Sequence, residues 1–368
     1  MRRWVSARAA GYTGAVALST QEDTMFKGHC LNYLGTPLVG ATGALIASAV
    51  GWPLPWMIGS LVAVILVRCT TAWQLQALPG GRKFGQWIIG IGIGLHFTSA
   101  LVEQIAAHLL PIVIGAFITV LSSAIGVWFM RRTGETTATA YFSSMPGGSA
   151  EMVNLGARNG ADLTRVAAAQ SLRVVAVVLL VPALFKFLIG DGEVFAHPIH
   201  TDWPWLALIL PLAGLAGWLM QRFKQPNAWL FGPLLVSALL SIGFDLHSGL
   251  PAGASQAGQL MIGSALGCFF NRAFFRYAPS FLARTLITTL AMMLVACLAA
   301  LLIGWASGLD FQSLTLGMMP GGIAEMSLTA ETLQLAVPLV TAMQVIRLFV
   351  VLFLAEPIFR RWQRRQSA

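Results

Sequence analysis

The sequence predicts an all-α polytopic membrane protein of about ten transmembrane helices. They form two inverted five-span repeats, each with a Pro-Gly-Gly broken or re-entrant helix. Three observations carry this prediction. Charged residues make up 10% of the 368 and hydrophobic ones 57%, whereas a soluble domain has about 25% charged residues. Ten long apolar segments approach the ~20 residues that cross a bilayer core as a helix. Finally, eight residues occur twice. Met145-Pro146-Gly147-Gly148-Ser149-Ala150-Glu151-Met152 returns as Met319-Pro320-Gly321-Gly322-Ile323-Ala324-Glu325-Met326, one residue changed and 174 positions later (319 − 145 = 174).

Residues 1–33 read as an N-terminal tail. Arg2, Arg3 and Arg8 precede no strong apolar run, which makes a poor signal peptide, and Met25 offers a second start. The first membrane repeat covers 34–190, with apolar segments at 34–51, 55–72, 84–100, 108–130 and 164–190. The second covers 204–359, with segments at 204–221, 228–244, 256–271, 282–305 and 335–359, and 360–368 is a basic cytoplasmic tail. The Pro-Gly-Gly stretches precede the fifth and tenth segments. Proline lacks a backbone donor and glycine weakens helix preference, so both stretches read as broken or re-entrant.

The duplication runs beyond the eight residues. Pro37 and Gly40 match Pro211 and Gly214, and Trp56 and Gly59 match Trp229 and Gly232. Gly85-Gln86 matches Gly258-Gln259, and Gly90 and Gly94 match Gly263 and Gly267, at an offset of 173 or 174 throughout. Glycines at this spacing predict close helix packing. No strand precedes them, so they are not nucleotide loops.

Five spans per half is an odd number. If the first half starts in the cytoplasm, the second starts outside, and the halves are inverted repeats. The +9 formal charge agrees. Counted from a cytoplasmic N-terminus, inside connections hold Arg68, Arg82, Lys83, Arg131, Arg132, Arg222, Lys224, Arg272, Arg276 and Arg284, as the positive-inside rule requires. Outside connections hold Glu103, Asp191, Glu193, Asp202, Asp245 and Asp310. Arg131, Arg132, Arg158 and Arg165 flank the first broken segment and no basic residue flanks the second. The two therefore enter from opposite faces, with both termini cytoplasmic.

The candidate binding residues are Pro146, Gly147, Gly148, Glu151, Asn154, Gln170 and Arg173, and in the second half Pro320, Gly321, Gly322, Glu325, Gln344 and Arg347. A broken helix in lipid leaves backbone groups unpaired unless protein or a water-filled cavity satisfies them. Its freed ends then face a ligand, an N-terminal end favouring an anion and a C-terminal end a cation. A carboxylate at mid-bilayer costs about 2.5–3.5 kcal/mol on insertion scales. Glu151 and Glu325 therefore read either as carriers of a coupling proton or sodium ion, or as static partners of Arg173 and Arg347. Gln170 and Arg173 share a helix face, as do Gln344 and Arg347. The arginine fork suits a carboxylate or phosphate, which points to an anionic or zwitterionic solute or to an internal ionic network. Asn154 shares the face of Glu151 but has Leu328 as its counterpart (154 + 174 = 328), so the halves are not chemically equivalent.

Other chemistry is thinly represented. Cys30, Cys69, Cys268 and Cys297 are isolated, so no disulfide framework or zinc site is expected. His197 and His200 with Asp202 have metal-compatible spacing in a predicted outside loop, where solvated residues are the plainer reading. No basic soluble module exists for nucleic acid, and no cofactor is expected. The expected partners are the lipid bilayer, a small solute and a coupling ion; a homodimer is also compatible with the sequence.

The duplicated Met-Pro-Gly-Gly-x-Ala-Glu-Met, the Gln-x-x-Arg after each copy and the five-span repeats resemble the AbrB family of bacterial integral membrane proteins, from about residue 34 onward. Family members carry the labels ammonia monooxygenase and regulator of aidB expression. The resemblance implies a location in the bacterial inner membrane and a link to gene regulation. The monooxygenase label asks for a metal site that the histidines do not provide, so the chain is expected not to be an enzyme. A secondary transporter fits the residues best, with a membrane regulator or sensor as the alternative and a monooxygenase third.

Overall fold

The computed structural model describes residues 31–189 and 201–367, and the regular elements among them are helices. The first half contains α1 (31–49), α2 (Pro55–Thr70), α3 (Gly81–Leu95), α4 (Ser99–Ala107), α5 (Leu109–Arg132), α6 (Thr137–Ser144), α7 (Ser149–Arg158) and α8 (Leu163–Leu184). The second contains α9 (Trp203–Arg222), α10 (Ala228–Phe244), α11 (Ala254–Gly267), α12 (Arg272–Tyr277), α13 (Pro279–Ser307), α14 (Phe311–Met318), α15 (Ile323–Thr332) and α16 (Val337–Ser367). Each helix of one half has a counterpart in the other. The starts of α6, α7 and α8 recur at α14, α15 and α16, 174 residues on (137 + 174 = 311; 149 + 174 = 323; 163 + 174 = 337).

Local sequence fixes several of these boundaries. The Asp162 side chain caps α8 by accepting from the Arg165 amide at 3.1 Å, and Asp310 caps α14 by accepting from the Ser313 amide at 2.7 Å. Such caps satisfy amides that a helix start leaves without partners. Leu54 and Asn227, equivalent residues before α2 and α10, both adopt left-handed backbone, with φ of 48° and 45°. A left-handed leucine is unusual and survives here in a fully packed position.

Five helical segments are long and apolar enough to cross a membrane: α5, Leu163–Phe187, α9, α13 and Val337–Arg365. The pair α3–α4, bent by 82°, passes the same test only when its two helices are taken together, as a broken span or a re-entrant loop. The apolar α2 and α10 have 16 and 17 residues; at 1.5 Å per residue they rise about 24–26 Å, short of a ~30 Å core. Two short helices, α4 and α12, interrupt what the sequence presents as plain connections. Residues 1–30, His197 and His200 lie outside the described residues.

Packing sorts the helices into two groups, each drawing on both halves. In the first, α2 and α3 interleave with α10 and α11. Glycine makes the crossings possible: a Cβ on Gly90 would lie 2.6 Å from the Leu230 carbonyl, and one on Gly94 2.6 Å from that of Leu234. The counterparts repeat with the halves exchanged. Gly263 abuts the Met57 carbonyl, and Gly267 lies 2.9 Å, by the same measure, from that of Leu61. In the second group α5 packs on α13, α16 on α5 and α8 on α13. The Tyr141 hydroxyl donates to the Ala355 carbonyl at 2.9 Å, tying α6 to α16.

Candidate functional site

Each Pro-Gly-Gly stretch is the tip of a helical hairpin. The chain rises along α6, breaks over 145–148 and returns along α7. At its base the Asp162 amide donates to the Thr139 hydroxyl at 2.9 Å, so α7 ends beside the start of α6. The second hairpin closes identically: the Ala336 amide donates to the Ser313 hydroxyl at 3.1 Å (139 + 174 = 313; 162 + 174 = 336).

The Gln-x-x-Arg that follows each tip holds the carbonyls freed by the break. Gln170 donates to the Phe142 and Met145 carbonyls at 2.8 and 3.1 Å. Arg173 donates to the Met145 and Gly147 carbonyls at 2.7 and 3.3 Å and to Gln170 Oε1 at 2.6 Å. In the second half Gln344 donates to the Gly317 and Met319 carbonyls, each at 3.1 Å. Arg347 donates to the Met319 and Gly321 carbonyls at 2.6 and 2.7 Å and to Gln344 Oε1 at 2.5 Å. All four side chains are buried. A broken helix needs such partners wherever water cannot supply them.

The arginines thus grip backbone, and the ion pairs among the described residues do not join them to Glu151 or Glu325. The carboxylates fold back over their own helix starts. Each glutamate is the third residue of its helix and curls over the glycine that caps it. The Glu151 carboxylate occupies the space a Cβ on Gly148 would fill, and Glu325 does the same at Gly322. This disposition resembles a capping box and puts negative charge at the positive end of the helix. It also explains the second glycine of each motif, since any side chain there would displace the carboxylate.

Both tips reach one cavity of about 400 Å³. Gly147, Gly148, Glu151, Asn154 and Arg173 line it from the first half, and Gly321, Gly322 and Glu325 from the second. Pro146, Gln170, Pro320, Gln344 and Arg347 lie behind this surface and shape the tips. The two tips are not equally accessible. Ala150 and Asn154 are exposed and Glu151 half-buried, whereas Ile323 to Ala330 are buried throughout. Packing gives the reason: α15 rests on α3, while α7 has no comparable contact with the equivalent α11.

Four polar residues of the cavity wall were not singled out by sequence. Arg82 and Gln86 stand one turn apart on α3, Ser171 lies on α8, and Asn227 immediately precedes α10. Arg82 registered only as a topology marker. Gln86 carried a usable signal, its pairing with Gln259 inside the repeat; Asn227 carried none.

Helical hairpins with buried polar tips, set among long apolar helices, define a duplicated protein of membrane type. Its sequence agrees: the chain belongs to the AbrB family, described as transition state regulatory protein AbrB, whose profile matches residues 56–363. It is similar to "Uncharacterized protein YhjN" of Bacillus subtilis (strain 168), 25% identical over 349 residues that cover 88% of this chain and 91% of the relative. It is also similar to a protein of Escherichia coli (strain K12) provisionally named regulator AbrB, 27% identical over 321 residues covering 85% and 91%.

Proposed function

We propose that this protein is an inner-membrane secondary transporter that moves a small anionic or zwitterionic solute by ion-coupled alternating access. The carrying observation is that two duplicated hairpin tips, each with its own glutamate, line one cavity. In this reading the chain crosses the membrane ten times, the halves are inverted repeats, and both termini are cytoplasmic. The hairpins then enter from opposite faces and meet near the midplane, where transporters built from inverted repeats bind their substrates.

The unequal packing of the two tips supports a mechanism. One tip is accessible and the other is seated on α3. Because the halves share one architecture, exchanging their roles gives a second state: α7 seats on α11 and α15 lifts from α3. The cavity then opens to the opposite side. Glu151 and Glu325 carry the coupling proton or coordinate the sodium ion, because a carboxylate held at a tip changes environment as that tip opens and closes. Gln170, Arg173, Gln344 and Arg347 keep the tips intact through the cycle.

Uptake into proteoliposomes tests this reading. Glu151→Gln and Glu325→Gln keep the shape of the tip and remove the charge, so the protein stays folded and coupled uptake stops. Normal transport by both variants would refute the coupling role. A membrane-bound sensor or regulator is the second reading, favoured by the name of the Escherichia coli relative. Recovery of a stoichiometric partner, with no solute flux under any gradient, would select it.

A further inference from the structure

Four charged residues line the cavity: Arg82, Arg173, Glu151 and Glu325. Three of them are engaged. Arg173 directs its terminal nitrogens to Met145, Gly147 and Gln170. The two glutamates lie over the starts of α7 and α15, offsetting the positive helix ends there. Arg82 is exposed in the first turn of α3 and makes no side-chain hydrogen bond or close ion pair with a described residue, although its charge acts on Glu325 across the same cavity. Gln86, four residues on, shares its face. The wall nearby is apolar, formed by Ile262, Leu266 and Phe269.

The repeat shows that the fold itself does not require this arginine. The equivalent position carries Ser255 (82 + 173 = 255), and Asn227 on the same wall has Leu54 as its equivalent (54 + 173 = 227). The fold is thus built at each of these positions once with the polar group and once without it, Arg82 belonging to the first half and Asn227 to the second. Both line the cavity, whereas their equivalents Ser255 and Leu54 do not.

On the reading of this cavity as a solute site, we infer that Arg82 recognises the carboxylate of a small amphipathic organic acid whose apolar body lies against Ile262, Leu266 and Phe269. One guanidinium fork whose donors have no hydrogen-bond partner among the described residues matches one planar carboxylate through two parallel hydrogen bonds. A phosphate monoester, with a charge of about −2 at neutral pH, would be only half neutralised by this one arginine. Gln86 offers an amide to the same carboxylate or to a neighbouring polar substituent.

The test uses purified full-length protein and, as probes, butyrate, hexanoate and phenylacetate, their uncharged amides, and inorganic phosphate. At least one carboxylate raises the melting temperature while its amide and phosphate do not. Arg82→Gln weakens that carboxylate by about tenfold or more, about 1.4 kcal/mol, and Arg82→Lys retains part of the affinity. Lys83→Gln removes the same charge from the adjacent residue, outside the cavity lining, and leaves binding unchanged. Undiminished binding by Arg82→Gln, an equal loss in Lys83→Gln, or preference for amide or phosphate overturns the assignment, as does wild-type protein that binds none of the carboxylates. Uptake of the same probe separates the two readings. A carboxylate bound through Arg82 but never transported sinks the transporter and keeps the site. A carboxylate transported equally by wild type and Arg82→Gln does the reverse.

Discussion

Replacing Arg347 with methionine removes three charge-assisted hydrogen bonds at once. They run to the Met319 carbonyl at 2.6 Å, the Gly321 carbonyl at 2.7 Å and Gln344 Oε1 at 2.5 Å. Hydrogen bonds to a charged group contribute about 1.5–3 kcal/mol each. Removing the buried guanidinium also relieves its desolvation, so the three do not sum. Against that, Gly321 is buried and Arg347 lies behind the cavity lining, so the glycine carbonyl loses this partner where little water reaches. The Gly321 carbonyl and Gln344 Oε1 are left as buried acceptors without this donor, at about 1–3 kcal/mol each, and about 3–5 kcal/mol in all is the expectation for Arg347→Met. Arg173→Met removes the equivalent bonds, but the one to Gly147 is already 3.3 Å long and that glycine is half-buried beside the open cavity. Water can replace part of what is lost, so the expected loss is smaller, about 1–3 kcal/mol. Detergent-purified variants in a thermal melt read the difference: Arg347→Met falls by roughly 5–10 °C and Arg173→Met by clearly less, at about 2 °C per kcal/mol for a large chain. An Arg173→Met loss equal to or larger than that of Arg347→Met would refute the claim that the second tip is the closed one.

Other outcomes follow from the same geometry. Gly148→Ala and Gly322→Ala place a methyl where the Glu151 and Glu325 carboxylates lie, against the movable end of a side chain. The melting temperature should change little while proteoliposome uptake collapses; unchanged uptake would detach the glutamates from coupling. Gly90→Ala meets backbone instead, 2.6 Å from the Leu230 carbonyl. It should lower stability by about 1–3 kcal/mol through overpacking, and a neutral melt would contradict the crossing of α3 and α10. Gly243→Ala is the control, since nothing lies within 4 Å of the added carbon; the melt should hold or rise slightly, by the ~0.5–1 kcal/mol helix preference of alanine over glycine.

Much of the helical fold was legible in the sequence, because in such a chain apolar length speaks directly. The segment 228–244 coincides with α10, and 108–130 and 204–221 fall within two residues of α5 and α9 at each end. The repeat also marked Gly90 and Gly263 as crossing points before their neighbours were known. Legibility ended where side chains act on backbone. Composition favoured Arg173 and Arg347 as partners of carboxylate, since charge seeks charge in apolar surroundings. The freed carbonyls of the tips are equally needy acceptors, and no residue type announces them in a sequence. Arg82 was hidden for the opposite reason. At the end of a helix, beside Lys83, an arginine looks like any topology signal, and only the fold brings it to the same cavity as the two tips.

The entry of the two hairpins from opposite faces can be measured directly by labelling single cysteines in intact cells and in inverted vesicles. Arg158→Cys and Thr332→Cys sit at equivalent, exposed positions near the bases of the two hairpins (158 + 174 = 332). With Cys30, Cys69, Cys268 and Cys297 replaced, an impermeant maleimide should reach residue 332 only from outside the cell and residue 158 only from the cytoplasmic face. Labelling of both from the same face would contradict the inverted repeat, and with it the alternating-access mechanism.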